Sequence, residues 1–184
     1  MRSLFTALAL AVLATPAAAV EFNQVQPAAS SVEFSYSQMG VPMDGRFRRF
    51  SASLAFDPAR PGQATVQMDV DLASLDTGTP ELDAEAAGQQ WFNTPAFPTA
   101  RFVSRSVTAL GDGRYSVAGA LTIKGRSQDI VVPTRFTSRG SSGVLTGSFT
   151  IRRGDFSIGE GPWAAFDIVA NDVQVNFWLA VSAR

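Results

Sequence analysis

Asp69 and Asp71 stand two residues apart, which puts both carboxylates on one face of an extended strand, the raw material for a hydrolytic acid–base pair. Lys124 is the only lysine and would have to serve any Ser-Lys dyad, yet no local motif places a serine beside it. Arg152 and Arg153 precede a loop running from Gly154 to Gly161. An arginine there could hold a carbonyl or phosphate oxygen, or fix the loop by pairing with Asp155 or Asp76. Arg46, Arg48 and Arg49 form a small basic cluster that reads best as a solvated strand face. The chain has no cysteine and no histidine. That removes Cys/His zinc sites, thiol nucleophiles, Ser-His-Asp triads, histidine-ligated haem and thiolate-held iron–sulfur clusters. No catalytic residue, metal or cofactor is expected.

The elements that carry these residues are strands. Val66, Met68, Val70 and Leu72 alternate with Gln67, Asp69 and Asp71, so solvation on a wet face explains the two carboxylates better than catalysis does. Val32, Phe34 and Tyr36 alternate in the same way, as do Phe50, Ala52, Leu54 and Phe56. Further strands are expected at Arg101 to Ser106, Arg114 to Ile123, Asp129 to Phe136, Val144 to Ile151 and Asp172 to Val181. Turn chemistry separates them at Asp57-Pro58, Arg60-Pro61-Gly62, Gly111-Asp112-Gly113 and Gly140 to Gly143. Eight strands at this spacing predict an all-β sandwich or antiparallel barrel. One segment departs from the pattern: Thr79 as N-cap, Pro80 at the first helical position, and Leu82 to Ala87 ahead of Gly88 predict a short helix. Trp91 and Phe92 follow it directly, so the helix is either a lid or plug, or simply a cover packed over one end.

Met1 to Ala19 has the form of a secretory signal: Arg2, an apolar run from Leu4 to Ala14, Pro16, and Ala17-Ala18-Ala19 as a cleavage site. Cleavage after Ala19 would leave one domain from Val20 to Arg184, periplasmic or secreted. The run is too short to span a bilayer, which takes about 20 residues. A formal charge of −1 over 184 residues gives no basic stripe for nucleic acid.

Eight short stretches stand in a recognisable order. They are Ser31-Val32-Glu33-Phe34, Gly45-Arg46-Phe47, Phe56-Asp57-Pro58, Ser74 to Gly78, Trp91-Phe92-Asn93, Phe97 to Phe102, Leu121 to Gly125, and Arg153 to Gly159. With them the chain resembles the YceI-like family of exported polyisoprenoid-binding proteins, from about Val20 to Val181. The resemblance implies an eight-stranded antiparallel lipocalin-like β-barrel with a short helical insertion. It also implies an isoprenoid lipid or quinone as ligand, transient membrane contact, and a monomer or homodimer. Two departures stand out: Gln38 occupies a place where many members carry histidine, and Leu82-Asp83 stands where many have an Arg-Asp pair.

If the alternating apolar set faces inward, the expected lining is Phe34, Tyr36, Phe50, Leu54, Val66, Met68, Val70, Phe102, Tyr115, Val117, Phe149, Val175 and Phe177. Trp91 and Phe92 would close one end, with Gln38 and Arg153 as polar contacts. The same apolar positions would equally make an ordinary packed β core, and only the resemblance favours a pocket. Three function classes follow: a lipid-binding module, a structural or interaction protein with a filled barrel, and, least favoured, a hydrolase.

Overall fold

The structure is a computed structural model and describes residues 20–183. The signal segment expected at Met1 to Ala19 lies outside the described residues. Alternating β-branched and aromatic residues form strands throughout. These are β1 (Phe22–Val25), β2 (Ser31–Gln38), β3 (Val41–Phe47), β4 (Phe50–Ala55), β5 (Thr65–Asp71), β6 (Leu75–Asp76), β7 (Thr99–Gly111), β8 (Arg114–Ile123), β9 (Arg126–Arg139), β10 (Ser142–Arg152) and β11 (Asp172–Ala183). One short helix, α1 (Pro80–Ala87), interrupts them. All pair antiparallel in one sheet, in the order β4-β5-β7-β8-β9-β10-β11-β2-β3-β6, with β1 against β11.

The sheet curls into a lipocalin-like barrel, and covalent continuity closes its seam. β3 runs into β4 through a corner at Arg48 and Arg49, so one chain path pairs with β2 on one side and β5 on the other. Backbone bonds hold the corner: Arg48 N–H donates to the Ser74 carbonyl at 3.0 Å, and Asp71 N–H to the Arg49 carbonyl at 3.0 Å. The Arg49 N–H also donates to Ser74 Oγ at 2.9 Å. Asp76, buried beside the corner, accepts from Arg46 Nε at 2.8 Å and from Arg48 Nε at 2.9 Å. Hydrogen bonds from Arg48 and then Arg46 hold its carboxyl well below the usual carboxylate range.

All eight expected strands are present, and the count is corrected to eleven by β1, β3 and β6. β3 carries Pro42 and Gly45, residues that argue against a strand interior. β1 and β6 are four and two residues long, below the length at which alternation is legible. The helix falls on its expected residues, but its capping differs. Thr79 is the N-cap without a side-chain bond. Asp83 Oδ1 instead accepts from Thr77 N–H at 2.8 Å and Thr77 Oγ1 at 2.7 Å.

One end of the barrel is sealed by aromatic rings. Phe22 and Phe56 exchange backbone hydrogen bonds of 2.8 and 3.0 Å, which draws β1 across the end of the sheet. Their rings meet Phe136 edge-on at 4.8 and 4.9 Å between centroids, and Tyr115 meets Phe56 at 5.1 Å. Such edge-to-face packing is a favoured aromatic geometry, and it leaves a solid floor.

Candidate ligand-binding cavity

Above that floor the barrel is hollow. A cavity of about 270 Å³ runs from Phe56, Tyr115, Val132 and Leu179 near the floor to Gln38, Thr77, Leu82, Glu85, Trp91, Arg153 and Trp163 at the opposite end. Its wall is almost entirely apolar; its two charged residues, Glu85 and Arg153, are both at the helix end.

Glycines explain why so many aromatic rings leave a bore. Phe34 faces Gly45 across the β2–β3 pair, and Phe177 faces Gly147 across β10–β11. A Cβ built on either glycine would overlap the facing ring, so each ring lies down where a side chain is missing. Gly119 accommodates the Phe102 ring in the same manner. Large residues thus spread along the wall instead of across the lumen.

At the helix end, Arg153 is the one cationic residue on the cavity wall among the described residues. It is 2% exposed and meets six backbone carbonyls. Nε donates to Val169 and Ala170, Nη1 to Ile158 and Gly159, and Nη2 to Trp163, Ala165 and Val169, at 2.8–3.3 Å. The five N–H groups of a guanidinium are thereby all in use. Burial lowers its pKa from the ordinary arginine value. The side chain also lies 4.9 Å from the Phe166 ring centroid and 5.6 Å from that of Trp91. Gly159 has φ +78°, and a Cβ there would collide with Arg153 Nη1. This couples the first and last residues of the Arg153 to Gly159 stretch. Arg153 therefore fixes loops, though not by the carboxylates expected: Asp155 takes Arg152 at 3.1 Å, and Asp76 takes Arg46 and Arg48.

The two tryptophans of this end pack with their rings tilted by 51°, at 5.6 Å between centroids. Trp163 Nε1 donates to Glu85 Oε1 at 3.0 Å and ties the loop to the helix. Trp91 Nε1 is buried and has no hydrogen-bond partner. An unsatisfied buried donor ordinarily costs about 1–3 kcal/mol.

A model of the YceI-like domain matches residues 24–181. The chain belongs to the YceI-like family. A YceI-like relative, the UPF0312 protein of Pseudomonas syringae pv. tomato, is 30% identical over 154 residues, covering 78% of this chain and 80% of that one. The crystal structure of Burkholderia cenocepacia BcnA is similar at 38% identity and a TM-score of 0.83, over 85% of this chain and 99% of that one. A polyisoprenoid-binding domain from Saccharophagus degradans shares the YceI-like fold at 17% identity and a TM-score of 0.69, over 90% and 99% of the two chains.

The YceI-like barrel brings all but one of the expected lining residues to a single cavity wall. Phe50 is the correction. As the first residue after the Arg48-Arg49 corner, it packs against the buried clusters and does not reach the bore. The expected lining left out Thr77, Leu82, Glu85, Ala86, Trp163 and Val169, which come from the helix and loops and follow no strand period, and also strand residues such as Phe47, Val107, Val132 and Leu145. The candidate catalytic groups are engaged elsewhere: Lys124 Nζ with the Ser157 carbonyl at 2.7 Å and Glu160 at 2.8 Å, and Asp69 with Arg101 and Gln67.

Proposed function

We propose that this is an exported periplasmic protein that holds a long prenyl chain in its barrel, as carrier or scavenger, and catalyses nothing. The carrying observation is the apolar bore itself, since a filled barrel would have had ring against ring where this one has ring against glycine. The Saccharophagus degradans neighbour is described as polyisoprenoid-binding, which agrees with this use of the fold. Export rests on the signal pattern of Met1 to Ala19.

The energetics suit transfer. Each five-carbon unit removed from water contributes about 3–4 kcal/mol gross, at about 0.8 kcal/mol per buried carbon. Against a bilayer the gain is near zero, because lipid tails are as apolar as the cavity wall. A ligand is therefore held firmly against water and exchanged readily with a membrane. Protein purified from its own periplasm should carry an organic-extractable isoprenoid detectable by mass spectrometry. Lipid-free extracts, together with no rise in melting temperature on adding a prenylquinone, would refute the reading.

A further inference from the structure

Resting on the prenyl-chain reading, we infer that Met39, Val41 and Phe166 form a docking face at the rim of the cavity, and that its partner is a bilayer surface of zwitterionic lipid. The bore is loaded and emptied while this rim sits on that surface.

Three observations carry it. First, the tip of the β2–β3 hairpin is a two-residue turn, Met39-Gly40, closed by the pairing of Gln38 with Val41. Met39 has φ 48° and Gly40 φ 79°. Such a turn favours asparagine at its first position, and a longer side chain is held in left-handed backbone there at a cost. Met39 recovers nothing through burial, since it is 70% exposed. Second, its neighbours share that exposure. Met39 N–H donates to the Ile168 carbonyl at 2.7 Å, Ala170 N–H donates to the Ser37 carbonyl at 2.9 Å, and Gln38 bridges Val169. These bonds stitch the hairpin to the loop that carries Phe166, which is 50% exposed, while Val41 is 57% exposed. Third, the apolar rim is continuous with the bore. Gln38 and Val169, each one residue from the Met39–Ile168 bond, line the cavity. Glu85 lines it too and is exposed, so the bore reaches solvent at this end.

The cargo identifies the partner. A prenyl chain crossing open water gives up the whole gain of burial, so the mouth has to meet an apolar phase directly. A bilayer supplies that phase, and a rim of methionine, valine and phenylalanine can sink among its head groups. Charge selects the kind of bilayer. Residues 37–45 and 161–171 contain no lysine or arginine, and their only charges are Asp44 and Asp167, both exposed. Anionic head groups repel such a rim, whereas zwitterionic ones do not.

The test mixes the exported protein with phosphatidylcholine vesicles and reads the bound fraction by flotation. Wild type should float with them equally at about 0.05 and 0.5 M salt, and less when about a third of the lipid is phosphatidylglycerol. Met39→Asn combined with Val41→Thr suits both turn and strand, so the melting temperature should not fall. Its partitioning should nonetheless drop about tenfold or more. Transfer of a prenylquinone between vesicles should slow by the same factor, while the rise in melting temperature that the quinone gives should persist. Val131→Thr alters a 60% exposed valine in mid-ladder on the barrel's side, and should change partitioning by less than about twofold. No flotation of the wild type, an equal loss from Val131→Thr, tighter binding to the anionic vesicles, or a dimer that the double variant splits would overturn the docking face. A wild type whose melting temperature does not rise with prenylquinone would overturn the prenyl-chain reading, and the docking face with it.

Discussion

Arg153 is a buried cation whose neighbours are carbonyl dipoles rather than carboxylates. It holds three stretches of loop at once, around Ile158-Gly159, Trp163 to Ala165, and Val169-Ala170. Arg153→Lys offers a compact point charge with three donors in place of a five-donor fork. The variant should lose about 3–5 kcal/mol of unfolding free energy in a denaturant titration, because several carbonyls stay buried without partners. Gly159→Ala should reproduce part of that loss, since the added methyl displaces the guanidinium and the backbone is held at φ +78°. The same scale explains what loading should not show. With no histidine, nothing on the cavity wall ordinarily titrates near neutrality. Affinity for an uncharged prenyl lipid should be flat between about pH 5.5 and 7.5, as measured by equilibrium binding across that range.

The strands divide into those that composition reveals and those that pairing creates. β5 and β8 were legible because strict alternation admits one facing. β3 was not, since Pro42 and Gly45 look like interruptions until Phe34 lies opposite the glycine. The cavity wall was legible for the same reason as the strands, period two, and illegible where the helix and loops contribute. Trp91 was visible as a closing aromatic, but its open donor emerges only when every neighbour has been given its partner. Gly45→Ala tests the glycine–ring pairing. The three atoms nearest the new methyl all belong to the Phe34 ring, so the ring should swing into the bore while the barrel stays folded. The expected result is an unchanged far-UV spectrum with a shorter maximum prenyl chain accepted. The corner at Arg48-Arg49 carries a second prediction. Asp76 has a lower pKa folded than unfolded, so its stabilisation is complete above about pH 4, the ordinary aspartate value, and fades as pH falls below it. Asp76→Asn should flatten the acid limb of a melting-temperature profile and lower its neutral plateau.

For the molecule as a whole, hollowness is what separates a carrier from a scaffold. Val70 and Phe177 both line the bore, from strands on opposite sides of the seam. Val70→Arg or Phe177→Asp should abolish loading of a prenylquinone, read as loss of the ligand-induced rise in melting temperature. Unfolding of both variants alongside a wild type that binds nothing would instead mark the barrel as a mere core. Among the described residues no helix is long and apolar enough to cross a membrane.

The floor of the barrel has a consequence for time rather than for space. Its strand β1 is the first of the described chain and pairs with β11, the last, matching Phe22 to Ala183 and Val25 to Val181. Pairings of such sequence separation form late, because the loop they close spans nearly the whole domain. Phe22 can meet Phe56 and Phe136 earlier, but the rest of β1 has no ladder to join until β11 is in place. Until then β10 and β2 lack the strand that joins them, so the wall of the bore is open along its side and a lipid could be retained only after the last strand had paired. Loading would then follow the completion of folding, and a truncated chain lacking β11 would leave an unclosed sheet.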